Sequence, residues 1–222
     1  MLYWSCNKQR RCAMSELDFL RNVLGIQQEE LLRDALAVCR TETLQKGDCL
    51  FRPGQAPTKV SLLMKGILRG FFLDAEGNEI TDCLVVTPGY PLMPESNLKA
   101  VSELTVEALT DTQVFSLPME AFYRLKQRHP EVEEMYQKML LLAWDYHRQL
   151  KVMMYQYTAA QRYQWFVKNY PHVKEQIGHK HIASFLNMSP VTLSRLINNP
   201  PEQEEQELLE LFHFPRVDEY EA

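Results

Sequence analysis

The chain has 222 residues, of which 45% are hydrophobic and 24% charged, with a formal net charge of -5. These values exclude a chain disordered throughout and leave room for one large domain or two small ones, each with its own core. The five cysteines, an odd number without regular spacing, do not make a disulfide framework.

At the N-terminus, "MLYWSCNKQRRCAM" carries charges but no apolar run leading to a small-residue cleavage site. The richest apolar stretch, "VSLLMKGILRGFFL", is broken by Lys65 and Arg69 and falls short of the roughly 18 to 20 residues of a membrane span. The expectation is a cytoplasmic protein with no membrane partner.

Residues 41 to 117 read as strands. Short apolar or alternating runs are punctuated by Lys46-Gly47-Asp48, Pro53-Gly54, Lys65-Gly66, Glu76-Gly77-Asn78 and Pro88-Gly89. "ILRGFFLDAEGNEITDCLVV" has the form of a hairpin around a glycine-containing loop. Several short strands at this spacing predict a sandwich or barrel.

At Pro118 the period changes. "PMEAFYRLKQRHP" predicts a short helix with Pro118 in its first turn, and a long helix runs from Pro130 to about Met154 without internal glycine or proline. One apolar seam passes through Met135, Met139, Leu142, Tyr146 and Met153, a second through Tyr136, Leu140, Ala143, Leu150 and Met154. Two seams exceed what one small sheet needs. The reading is that one face packs on the strands while the first seam meets a symmetry mate in a homodimer. Burial of the helix within one monomer is the alternative.

"AAQRYQWFVKNYP" predicts a further helix stopped by Pro171, which puts a domain boundary near residues 157 to 160. Next comes "HIASFLNMSPVTLSRL", residues 181 to 196, two apolar helical patterns joined by a tight turn. Ile182, Leu186, Met188, Leu193 and Leu196 supply the apolar face and Ala183 the close approach that crossed helices need. Asn187 stands where the turn requires a left-handed residue, Ser189 caps the second helix, and Pro190 suits its first turn. Every position agrees with a helix-turn-helix that binds double-stranded DNA.

Its outward residues are then Val191, Thr192, Ser194, Arg195 and Asn198. Arginine suits a guanine edge and the Val or Thr methyls a thymine methyl, while Ser189, the helix start at Pro190 and Lys180 suit phosphates. Charge distribution agrees. Residues 160 to 199 hold five basic side chains against Glu175, a local +4, and residues 200 to 222 hold eight acids against Arg216, a local -7.

A strand-rich region with glycine turns, a long apolar helix and this helix-turn-helix resemble the CRP/FNR family of bacterial transcription regulators over roughly residues 16 to 200. The "KGD…F…PG" and "LMKGILRGFF" turns carry the likeness, and "S-P-x-x-L-S-R" is similar to the branch common among Bacteroidetes-type bacteria. The resemblance implies an α+β chain: a jelly roll of the cyclic-nucleotide-binding type over 1–130, a dimerisation helix over 131–157, and a winged helix-turn-helix with an acidic tail over 158–222. It implies DNA, a second copy of the chain and RNA polymerase as partners, and no enzymatic activity. Of the family's Arg-Glu-x-x-x-Arg recognition set, matched by Pro190, Val191 and Arg195, only the last arginine is kept.

The effector pocket departs further from the family. Gly89 survives from the phosphate-binding cassette, but Tyr90 replaces its Glu and Ser102-Glu103 stand where Arg-Ser or Arg-Thr belongs. A carboxylate there repels an anion. Lys99 replaces the lost arginine only if its loop folds back, and His147 and Arg148 occupy positions where nucleotide-binding members carry hydroxyl residues. Binding of cyclic AMP is therefore not expected. Cys6 and Cys12 lack the third close cysteine of an iron–sulfur site, and no other cofactor or metal is expected.

Two other classes compete with this reading. A metal cupin needs several histidines inside the roll, but the first histidine is His129, outside the strand region. A jelly-roll protein-interaction module without DNA binding stays open, as does the role of the tail, where Leu208, Leu209, Leu211 and Phe212 make an amphipathic pattern. Effector, operator and the sign of regulation are not legible.

Overall fold

The structure, a computed structural model, describes residues 14–93 and 100–200. Two helical stretches precede the strands: α1 (Glu16–Asp18), closed by a capping box from Ser15 and continuing into a π-helical turn, and α2 (Glu29–Val38). Seven strands follow: β1 (Arg40–Leu44), β2 (Cys49–Phe51), β3 (Lys59–Lys65), β4 (Leu68–Leu73), β5 (Glu79–Val85), β6 (Thr105–Ala108) and β7 (Thr112–Pro118).

All pairings are antiparallel, in a three-stranded sheet β1-β7-β3 and a four-stranded sheet β2-β6-β4-β5. The inner faces enclose a core of Leu63, Leu68, Val85, Val106 and Val114. Four successive residues of β3, Ser61 to Met64, are buried because inner sheet and outer helices cover its two faces. The β3–β4 turn needs Gly66: its φ is +106°, and a Cβ would lie 2.3 Å from Thr112 Oγ1.

Helix α3 (Met119–Arg128) leads into α4 (Pro130–Gln156), which begins with proline in its first turn and continues unbroken for 27 residues. Its first half packs Val132 and Met139 with the N-terminal helices and the outer face of β3 and β7. Its second half packs Tyr146, Leu150 and Met153 with the head formed by α5 (Ala159–Asn169), α6 (His179–Phe185) and α7 (Pro190–Asn198). Residue 157 breaks the helix in an extended conformation, and Thr158 opens α5 with a second capping box.

The structure corrects the predicted dimer seam. Met139, Leu142, Tyr146 and Met153 are buried within the monomer, and Met135 is half-buried against the N-terminal helices. Tyr146 shows why: its hydroxyl bonds to both backbone groups of Leu84 and lies 3.0 Å from the Tyr170 hydroxyl, so this face joins roll to head. The large apolar side chains that α4 exposes are Leu141, Trp144 and Tyr155, at 57%, 63% and 79%.

The expected wing strands are not found among the described residues; after β7 those residues are helical or irregular. Cys6, Cys12, Lys99 and the acidic tail from 201 onward lie outside the described residues. Among the described residues no helix is long and apolar enough to cross a membrane.

Candidate nucleic-acid interface and sensor cavity

Helices α6 and α7 enclose an apolar seam in which Ile182, Ala183, Leu186 and Leu193 are almost fully buried. Trp165, Phe166, Tyr170 and Phe185 form an aromatic cluster beneath it, with ring centroids 5.2 to 6.4 Å apart. Asn187 has φ +48°, the left-handed conformation the turn demands. The Ser189 hydroxyl accepts the Thr192 backbone N–H at 3.0 Å, and Pro190 begins α7.

Val191, Ser194, Arg195 and Asn198 are exposed on α7, as sequence spacing predicts. Thr192 is half-buried and its hydroxyl sits 2.9 Å from that of Ser189, so it belongs partly to the cap. Lys180 is exposed on α6. Arg162, one of the five local basic residues, is committed to structure instead: its guanidinium donates to the carbonyls of Tyr157 and Asn187, joining the hinge to the turn.

An open cavity of about 570 Å³ lies between the roll and α4. Its lining is mostly apolar, with Val85, Leu92, Leu104 and Val106 from the roll and Leu140, Leu141, Ala143 and Trp144 from α4. Polar groups at its edge are Asp82 and His147, 3.8 Å apart, together with Tyr90 and Cys83. Burial, with Asp82 alongside, pushes the Cys83 thiol up to about 12, so it is neutral at physiological pH.

Of the predicted pocket residues, Tyr90 and His147 line this cavity, and Gly89, Ser102, Glu103 and Arg148 do not. Gly89 makes a left-handed turn and donates its N–H to Leu63. Ser102 is buried but spends its hydroxyl on the N–H and carbonyl of Leu104. Glu103 is exposed, and Arg148 lies over the Trp144 ring at 5.8 Å. Among the described lining residues no arginine or lysine faces the cavity. From those residues an anionic phosphate would find no guanidinium or ammonium partner.

Behind the cavity wall lies a cluster the sequence reading missed. Arg69, only 1% exposed, donates from Nε to Thr81 Oγ1 (2.9 Å), from Nη1 to Glu107 (2.9 Å) and from Nη2 to Glu79 (2.8 Å). Its Nη1 also lies 2.7 Å from Nδ1 of His181 in α6. Guanidinium can only donate, so Nδ1 must accept, which leaves the ring proton on Nε2. Burial, then the Arg69 and Lys180 charges, pulls the His181 ring down to about 4. The hydrogen bond from Arg69 in turn holds the Glu79 carboxyl below its usual range.

Ligand atoms of Glu79, Glu107 and His181 lie within 4.8 Å of one another, which is metal-site spacing. The Arg69 guanidinium bonds to all three, so the cation they hold is the protein's own. One sequence signal existed: an arginine inside the apolar strand run "ILRGFFL" must be paired if buried.

Residues 41–129, which span the roll and α3, match the cyclic nucleotide-binding domain family. Over most of its length the chain has the fold of the CRP/FNR transcriptional regulators. It superposes on FixK2 from Bradyrhizobium japonicum with a TM-score of 0.65 at 15% identity, covering 78% of this chain and 96% of that one. The c-di-GMP responsive global regulator CLP of Xanthomonas campestris gives 0.63 at 12% identity, with 77% and 90% covered. A protein from Eubacterium rectale described as a transcriptional regulator of the CRP/FNR family gives 0.62 at 16% identity, with 85% and 96% covered. No curated protein matches the chain.

Proposed function

We propose that the protein is a dimeric, sequence-specific DNA-binding regulator of transcription whose roll senses something other than cyclic AMP. The observation that carries this reading is the α6–α7 unit: a left-handed Asn187, a Ser189 cap and a sealed apolar seam present Val191, Ser194 and Arg195 to solvent. In this geometry α7 enters the major groove, Arg195 reads a base edge, and Lys180 and the start of α7 meet phosphates.

Dimerisation is assigned to the outer face of α4. Leu141, Trp144, Arg148 and Tyr155 are exposed and follow one another at steps of three, four and seven residues, as in a heptad seam. A partner helix on this face also closes the cavity at Leu141 and Trp144, which belong to both surfaces. Two α7 helices about 34 Å apart then match a palindromic site.

The apolar cavity wall and the Asp82–His147 edge favour a largely apolar effector over an anionic one. Selection of bound duplexes from a random pool by the purified chain tests the function. An enriched palindrome bound in a salt-dependent way supports it. Absence of any enriched or salt-dependent binding leaves the interaction-module reading instead.

A further inference from the structure

The β4–β5 ribbon has two working faces. Arg69 pairs with Leu84 and Gly70 with Cys83, and then the register shifts so that Phe71 pairs with Thr81. Asp82 is the extra residue of this bulge. Gly70, Asp82, Cys83 and Val85 thereby line the cavity. Arg69, Thr81 and Leu84 engage the head and the second half of α4.

The outer grip is specific. Besides Arg69 on His181, the Thr81 N–H donates to Ser184 Oγ at 2.9 Å, and that hydroxyl donates to the Glu79 carbonyl at 3.2 Å. Ser184 thus occupies backbone groups that the edge strand β5 leaves unpaired. Three of the four Arg69 partners belong to the roll and one to the head, so the roll sets where the guanidinium points.

The ribbon also has little slack. A Cβ on Gly70 would meet Cys83 Sγ at 2.7 Å. The two strands thus approach closely where they form the cavity wall. A buried guanidinium does not tolerate a gradual loss of partners, because an unpaired charge inside the protein is expensive. Such a contact has discrete arrangements rather than a continuum.

We propose that Arg69 couples the cavity to the helix-turn-helix: an occupant that shifts the Gly70–Cys83 wall changes the Arg69–His181 contact, and with it the docking of α6 on β5. The inference rests on reading the cavity as the effector site, and it makes Arg69 and His181 positioning residues for the DNA-binding head.

Hydrogen exchange on the full chain tests the coupling without effector or DNA. Ala143→Trp fills the cavity from α4, and Leu140→Trp serves as a second filler where the first does not fold. Expected is a change of about threefold or more in exchange of the α6 amides from Ile182 to Leu186. In a His181→Phe/Ser184→Ala background the same filler should leave those amides unchanged. The inference is overturned if α6 does not respond to a folded filler, or responds equally with the grip cut. DNA binding is measured separately on each variant: coupling in a chain that binds no DNA sinks the function and keeps the inference, and DNA binding with no response in α6 does the reverse.

Discussion

The helix-turn-helix and the roll treat charge in opposite ways. Exposed Lys180 and Arg195 on the head are available to a polyanion, whereas the cavity of the roll presents an apolar wall with Asp82 and His147 at its edge. The one arginine buried in the ribbon faces away from the cavity, toward the head, where Glu79 and Glu107 neutralise it. Among the described residues, the head thus offers exposed cations to solvent while the cavity wall offers no arginine or lysine.

The comparison is broken most severely by separating the two heads. Leu141→Glu/Trp144→Glu puts two charges on the exposed seam of α4, and ultracentrifugation should show monomers whose operator affinity falls about a hundredfold or more through lost bivalency. An intact dimer would move the interface elsewhere.

Next in size is the head's own core. Leu193 is fully buried between α6 and α7, so Leu193→Ala should destabilise the protein by about 2–5 kcal/mol in denaturant unfolding. A change near zero would mean that the seam is not packed as described.

Acid should sharpen the contrast at the boundary. His181 titrates at about 4 when folded against a reference of 6.5, so between those values the unfolded chain binds more protons. Its contribution is complete above about 6.5 and is lost as pH falls toward about 4. Charged groups around the ring are Arg69, Glu79, Glu107, Lys180 and Lys46. His181→Gln keeps an acceptor for Arg69 without titrating, and its stability should fall less steeply over that window. Parallel curves for the two proteins would contradict the buried neutral ring.

Smallest is the expected effect of cyclic nucleotide. With no cation lining the described cavity, cyclic AMP and cyclic GMP should leave the melting temperature unchanged, since stabilisation follows occupancy. A saturable rise at micromolar ligand would show that the phosphate finds a partner.

Legibility followed the sequence distance over which each feature is built. Asn187, Ser189 and Pro190 are read directly because turn and cap chemistry act within a few residues. The hairpin around Glu76-Gly77-Asn78 is equally local, and β4 and β5 flank it. Both seams of α4 are visible, yet the face left to solvent, with Leu141, Trp144 and Tyr155, belongs to neither, because how the helix lies against the sheet and head is not encoded in its periodicity. The Arg69–His181 contact joins residues 112 apart, so only the oddity of an arginine in an apolar strand marked it. Cassette residues could be compared by type, which exposed Tyr90 and Glu103 as misfits, but the actual cavity wall came from Asp82, Cys83 and Trp144.

The central claim is that α7 reads base sequence, and Arg195 tests it most directly. Arg195→Ala and Lys180→Ala would be compared with the unaltered protein on the selected operator and on a scrambled duplex across a salt series. Arg195→Ala should lose about 1–3 kcal/mol on the operator, relax preference at one base pair per half-site, and scarcely affect the scrambled duplex. Lys180→Ala should weaken both duplexes alike and reduce the salt slope by about one unit. Equal weakening of both duplexes by Arg195→Ala would contradict the account, because that side chain would then contact only phosphate.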